Sequence, residues 1–176
     1  MRRRERGFTL VELMVVIAII ALLAAILFPN LTKSIQKGRI SSLESTARNI
    51  YTEMSTYYAD HGNYDGLIDT TDPNDPDLKI TDINAKWPWG DGSVVDQAKI
   101  KYKEETDSGI QEAVIWFEIP SAAKAVANDM ATATCSEIMP GESDWKGHSN
   151  DNTKPAVVID LRETASQAVY VCKSNS

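Results

Sequence analysis

The sequence predicts an α+β protein in which one long N-terminal helix packs on an antiparallel sheet of about four strands. An apolar run at the start of the chain passes into an amphipathic segment of helical periodicity, with no turn signal between them. The region 98–176 instead contains four short segments with the apolar pattern of strands, separated by polar turns. A helix followed by strands is typical of an α+β architecture.

The apolar run occupies residues 8–29 and follows a short segment, 1–7, that contains four arginines and one glutamate. About 20 apolar residues at about 1.5 Å per residue match the thickness of a bilayer core. Positive charge beside a membrane segment stays on the cytoplasmic side, so the rest of the chain should be exported. The pattern therefore predicts a single-pass membrane helix.

Glu12 is the only charged residue between Phe8 and Asn30. An ionisable side chain inside a membrane segment costs about 2.5 to 3.5 kcal/mol on insertion scales, so it needs a partner, and we identify none within this helix. Cleavage between Gly7 and Phe8 would create an α-ammonium at Phe8, which Glu12 of a neighbouring subunit could neutralise. A secretory peptidase would instead cut behind the apolar run at an A-x-A site, and this run contains none.

The segment GFTLVELMVVIAIIALLAAILFP closely resembles the class III leader and N-terminal helix of type IV pilins and type II secretion pseudopilins. The resemblance covers the first third of the chain and depends on residues that occur together: Gly7, Phe8, Thr9, Leu10 and Glu12. It implies a cleaved leader, 1–7, removed by a prepilin peptidase that also methylates the new Phe8 amine. It further implies that Glu12 guides docking into a helical filament and that Pro29 kinks the helix.

Within this family, the cysteine pair and the large head favour a structural subunit of a type IV pilus, of the type IVa-like major pilin kind. A pseudopilin of a type II secretion system and a minor pilin for adhesion or DNA uptake are the alternatives. The expected partners are further copies of the chain, the prepilin peptidase, the membrane and the pilus assembly machinery of the inner membrane. The subunit would reside in the inner membrane before assembly and in a surface filament afterwards. An uncleaved membrane anchor would leave Glu12 and the Gly7–Phe8 junction unexplained.

The amphipathic half of the helix, 30–62, has apolar residues spaced by three and four, and Gly62 is suited to a left-handed cap. The next region, 63–97, is rich in Asp, Pro and Gly, which predicts an irregular loop with one short strand at LKITDI. It corresponds to the variable loop of the pilin family. Trp87 and Trp89 are expected to hold this loop on the core rather than to bind a ligand.

The head, 98–176, is expected to contain one hairpin, one helix and two further strands. The segments AKIKYKEE and EAVIWFEI form the predicted hairpin, and SAAKAVANDMATA predicts a helix that ends just before Cys135. The segments AVVIDL and QAVYVC predict two strands joined by a turn at 162–166. In the pilin-like arrangement, these four strands pack on the exported half of the long helix.

Cys135 and Cys172 are the two cysteines of the chain, and both lie beyond the membrane segment. In an oxidising compartment they are expected to form a disulfide that stabilises the head by about 3 to 4 kcal/mol. Two unpaired buried thiols are the alternative. The bridge would also resemble the C-terminal disulfide loop of many major pilins, which is unusual in the major pseudopilin.

The remaining composition indicates neither catalysis nor nucleic-acid binding. The net charge of the chain is −7, which disfavours a groove for a phosphate backbone. No Ser, Cys or acid near His61 or His148 has motif spacing for catalysis, so no enzyme activity and no cofactor are expected. Calcium is the one ion to consider, because oxygen ligands crowd the loop, although their spacing matches no standard calcium site. The candidate ligands are Asp69, Asp72, Asp75, Asp77 and Asp82.

Overall fold

The structure is a computed structural model that describes residues 8–141, 144–149, 151–165 and 167–175. Contacts divide the chain between Ile35 and Gln36 into two compact units. The leader 1–7, with Gly7 of the predicted cleavage site, lies outside the described residues. The last residue of the predicted turn, Ser166, lies outside them as well.

One helix, α1, extends over Leu10–His61 and contains both Pro29 and Gly38. The helix ends where the sequence predicts. At this end, Gly62 adopts a φ of 74° and its amide donates to the Tyr58 carbonyl at 2.7 Å. This left-handed residue satisfies a carbonyl of the last turn. Pro29 does not terminate the helix, since the backbone remains helical on both sides of it. The kink at Pro29 stays a prediction.

The loop after α1 contains a small two-stranded sheet. Strand β1, Ile68–Asp69, pairs antiparallel with β2, Asp77–Leu78. The predicted strand at LKITDI shares only Leu78 with β2. Trp87 and Trp89 are half-buried against the core, as expected, and the Trp89 indole donates to Gln36 Oε1 at 2.7 Å.

The main sheet has six strands in the order β5-β8-β7-β4-β3-β6, where the sequence predicts four. The predicted hairpin is present as β3, Lys99–Glu105, and β4, Gly109–Glu118. The two additional strands are β5, Ala133–Thr134, and β6, Lys146–Gly147. The last two are β7, Ala156–Asp160, and β8, Val169–Lys173. Strand β5 runs parallel to β8, so the sheet is mostly rather than wholly antiparallel.

The helical segment after Pro120 is shorter than the sequence predicts. A 3₁₀ turn, Ser121–Ala123, leads into α2, Lys124–Met130. The predicted end of the helix instead forms β5, and the Thr132 amide donates to the Val171 carbonyl at 2.9 Å. The high helix propensity of alanine is a weak preference that tertiary pairing overrides. A third short helix, α3, follows at Cys135–Ile138.

The sheet is buried on both faces. The face toward α1 contains Ile115 and Phe117, and the opposite face contains Val114 and Trp116. Because successive side chains of a strand point to opposite faces, the continuous apolar run of β4 reflects two cores. The helix supplies the first core with residues that are fully buried: Ile40, Leu43, Ala47, Ile50 and Met54.

The predicted disulfide joins Cys135, the first residue of α3, to Cys172 on β8. Their Cα atoms are 4.9 Å apart, and both residues are fully buried in the second core. Thr134 and Glu137 form a capping box at the start of α3. The bridge therefore ties the edge strand β5 and the helix α3 to β8, the next strand of the sheet.

Candidate functional site in the N-terminal helix

In the described part of the first unit, 8–35, the apolar residues form no core. Its large hydrophobic side chains, from Phe8 to Ile35, are exposed by 45% at Val16 to 81% at Phe8. Exposed apolar patches beyond a few hundred Å² mark interaction or membrane surfaces in folded proteins. This segment must therefore be covered by lipid or by protein.

The length and composition of the segment are sufficient for a membrane helix. Within α1, an 18-residue segment is hydrophobic enough to span a membrane, and none of it is buried. A core helix of a soluble protein would pass the same test with its apolar residues mostly buried. The absence of burial therefore distinguishes this segment from a core helix.

Glu12 and Thr9 together cap the start of α1. The Thr9 amide and hydroxyl donate to Glu12 Oε2 at 2.9 and 2.8 Å, and the Glu12 amide donates to Thr9 Oγ1 at 3.2 Å. This reciprocal arrangement is a capping box, which satisfies two backbone donors of the first turn. Thr9 is a hydrogen-bonding partner of Glu12 that the sequence analysis does not identify. The T-x-x-E pattern that precedes the apolar run is the signal that predicts it.

The cap gives Glu12 hydrogen bonds but no cation. Both donors from Thr9 reach Oε2, and no residue of the described chain forms an ion pair with the Glu12 carboxylate. The Thr9 hydroxyl and amide satisfy one oxygen of the carboxylate by hydrogen bonding. Neither group carries a positive charge, so they do not neutralise Glu12 in an apolar environment. The carboxylate at one end of the exposed segment therefore still requires a positive partner.

The two histidines take part in local structure. His61 stacks on Tyr57 with ring centroids 3.9 Å apart, and its Nδ1 lies 3.0 Å from the Tyr57 carbonyl oxygen. His148 Nδ1 accepts from the Ile100 amide at 3.1 Å, while its Nε2 lies 2.8 Å from an Asp75 oxygen. His148 thus links β3 to the loop after α1, whereas His61 contacts the preceding turn of its own helix.

The candidate calcium ligands have other partners. Hydrogen bonds from Thr71, with a contribution from Lys79, lower the pKa of Asp69 to about 2. Asp72 accepts from the Asn74 amide at 2.9 Å, and Asp75 contacts His148. In the described parts of the chain, no three acidic, His or Cys side chains, including Asp77 and Asp82, converge on a common point. Calcium binding stays a prediction without a preformed ligand set.

Comparisons with known proteins find one family model and several relatives, each of which matches part of the chain. The family described as "Prokaryotic N-terminal methylation motif" matches residues 2–28. Type IV major pilin protein PilA of Myxococcus xanthus is 39% identical over 61 residues, which are 35% of this chain and 28% of that protein. A fimbrial protein of Neisseria meningitidis is 35% identical over 66 residues, which are 38% of this chain and 39% of that protein.

A secretion protein is similar to a comparable share of the chain. Type II secretion system core protein G of Dickeya chrysanthemi is 38% identical over 64 residues, which are 36% of this chain and 42% of that protein. The chain thus spans less than half the length of each of these three relatives. No solved structure matches the chain significantly.

Proposed function

We propose that this chain, which carries the N-terminal helix of type IV pilins and type II secretion pseudopilins, is the structural subunit of a type IV pilus. The N-terminal methylation motif and the similarity to major pilins support this function. These relatives are structural proteins, which suggests that this chain is not an enzyme. The subunit first resides in the membrane through residues 8–29 and then polymerises.

The observation that carries the proposal is the exposure of the apolar segment along its whole length. In the bilayer, lipid covers this surface, and in a filament other subunits cover it. Transfer from lipid to protein changes the hydrophobic contribution little, because lipid tails are as apolar as the side chains. The choice between the two states therefore depends on packing and on polar contacts, of which Glu12 supplies the strongest candidate.

Leader cleavage gives Glu12 its missing cation. A peptidase cut between Gly7 and Phe8 releases the α-ammonium of Phe8, which the enzyme then methylates. The methylated amine stays basic, so it pairs with Glu12 of a neighbouring copy. This pair sets the register of one helix against the next as the filament grows.

A pseudopilin of a type II secretion system is the second candidate, because core protein G is 38% identical to this chain over 64 residues. The two functions differ in where the protein accumulates. A pilus subunit is abundant in filaments sheared from the cell surface, whereas loss of a pseudopilin blocks secretion without removing surface pili. A minor pilin for adhesion or DNA uptake would be scarce in sheared filaments.

Replacement of Glu12 by glutamine tests the proposed function. The amide oxygen of the new side chain can still accept from Thr9, so Glu12→Gln removes the charge while it retains the cap. We expect cleaved, membrane-inserted subunits and no surface filaments. Immunoblots of membranes and of sheared material measure both quantities.

The matched control is Glu53→Gln, which changes an exposed glutamate in the other half of α1. This variant should form filaments at the level of the unmodified chain. Normal filament yield from Glu12→Gln would contradict the role of the Glu12 charge in assembly.

A further inference from the structure

A cavity of about 420 Å³ opens at the end of the main sheet where β3 begins and β4 ends. Its apolar walls include Trp87, Pro120 and Pro155. Its charged lining residues are Lys99, Lys124, Lys154 and Glu118. We call this feature the basic cavity. It is unusual in a chain whose net charge is −7.

The lysines of the basic cavity outnumber their carboxylate partners. Glu118 accepts from Lys99 at 2.6 Å and from Lys154 at 2.8 Å, and Lys154 also lies 3.1 Å from Asp151. Lys124 forms no ion pair with any residue of the described ranges, and its Nζ donates to the Thr153 carbonyl at 3.3 Å. Lys124, which is exposed and lines the cavity, thus has a neutral hydrogen-bond acceptor but no carboxylate partner among the described residues.

The opposite end of the same hairpin carries excess negative charge. We call residues 104–107, which are the last two residues of β3 and the first two of the connection to β4, the acidic turn. Glu104 pairs with Lys146 at 2.7 Å. Glu105 and Asp107 are exposed and form no ion pair with another described residue. Two carboxylates of this turn therefore project into solvent without a counter-charge.

Within a single copy, the basic cavity and the acidic turn are too far apart to touch. Strand β3 extends from Lys99 beside the basic cavity to Glu105 in the acidic turn. Six steps of about 3.3 Å place these ends about 20 Å apart, at opposite ends of the strand. Two copies aligned end to end bring the acidic turn of one to the basic cavity of the other. Such a heterologous contact repeats along a row of copies when it does not close into a ring.

We propose that the acidic turn of one copy docks in the basic cavity of the next copy along the filament, where Lys124 pairs with Glu105 or Asp107. This inference rests on the proposed function as a filament subunit. Trp87 and the two prolines exclude water from one side of the contact, which strengthens the attraction between opposite charges. The contact joins the heads, so it adds to the assembly contacts of the N-terminal helix.

Zero-length carbodiimide cross-linking of sheared filaments tests the contact in the unmodified chain. This reagent joins an amine to a carboxylate only when they touch. Mass spectrometry should find Lys124 linked to Glu105 or Asp107, a link that the distance within one copy forbids. Filaments that yield other lysine–carboxylate links but not this one would overturn the proposed contact and leave the pilus function intact.

Charge reversal tests the same contact by mutation. Lys124→Glu and Asp107→Lys should each lower the yield of sheared filaments several-fold, and the double variant should restore it. Lys124 is the first residue of α2, where a negative charge is compatible with the helix dipole. Asp91→Lys is the control, since it makes the same charge change at an exposed residue elsewhere in the head.

The outcomes separate the two proposals. Full yield from both single variants, in cells whose unmodified chain forms filaments, would overturn the docking contact alone. A chain that is processed but forms no filaments would contradict the proposed function and, with it, this contact.

Discussion

The two halves of helix α1 use apolar residues in opposite ways. Residues 8–35 are apolar around most of the helix and bury none of their large hydrophobic side chains. Beyond Gln36, the apolar residues form a stripe from Ile40 to Met54, and each of them is fully buried against the sheet. A helix with one apolar stripe can bury that stripe against a single partner surface. A helix that is apolar on all sides has to be covered on all sides.

Because of this difference, the two halves should contribute to different properties of the protein: the stability of the head and the assembly of the filament. The second half of the helix contributes to the core of its own head, so changes there should alter the free energy of unfolding. The first half has no core within its own chain, so changes there should alter insertion and assembly while the head stays folded. Variants that should change only one of these two properties therefore test the difference between the halves.

Removal of the disulfide should cause the largest loss of stability and should affect the head alone. For residues separated by 37 positions, loop closure in the unfolded state accounts for about 4 kcal/mol. The double variant Cys135→Ser with Cys172→Ser should therefore melt about 10 °C lower. Near-ultraviolet circular dichroism of the full chain in detergent measures the transition. Unchanged melting would show that the bridge does not constrain the head.

Two isoleucines of α1 provide a matched comparison. Ile50 is fully buried, so Ile50→Ala should destabilise the head by about 3 kcal/mol through the cavity that it leaves. Ile20 is 58% exposed, so Ile20→Ala should leave the melting transition unchanged and should lower filament yield instead. For both variants, melting in detergent measures the stability of the head, and shearing of cells measures the filament yield. A large loss of head stability from Ile20→Ala would contradict the division between the two halves.

The smallest predicted effect concerns the pH dependence of the head. Burial alone would raise the pKa of Glu118, but hydrogen bonds from Lys154 and Lys99 and their charges outweigh it and hold the pKa below 4.5. Because the folded pKa is depressed, Glu118 stabilises the head above pH 4.5 and loses this contribution as the pH falls through the folded value.

Denaturant titrations at several pH values check this prediction. Glu118→Gln should lower stability by about 1 kcal/mol at pH 7 and should show a weaker loss in acid than the unmodified chain. Glu105→Gln, in an exposed carboxylate without an ion pair among the described residues, is the control. Parallel pH profiles for the unmodified chain and Glu118→Gln would contradict the role of the two lysines.

Long periodic elements could be predicted from the sequence, and short elements that depend on tertiary pairing could not. The helix α1, its end at Gly62 and the hairpin β3–β4 follow from patterns that extend over many residues. The strands β5 and β6 have two residues each, which is too short for any periodicity. Alanine content predicts helix at Ala133, yet hydrogen bonding to β8 makes it a strand.

The candidate site shows the same limit on a smaller scale. The isolated charge of Glu12 is visible in the sequence, and so is the Gly7–Phe8 junction. The hydrogen bonds of Thr9 were also predictable, because the T-x-x-E pattern is the sequence signature of a capping box. The basic cavity was not, because its lysines come from β3, α2 and the segment before β7, which only the folded sheet brings together.

The mass of the N-terminal peptide of subunits recovered from sheared filaments tests the central claim most directly. The account predicts a chain that begins at a methylated Phe8, whose amine is the cation for Glu12 of the neighbouring copy. A native chain that still begins with its arginine-rich leader would contradict it, because Glu12 would then have no new charge to pair with.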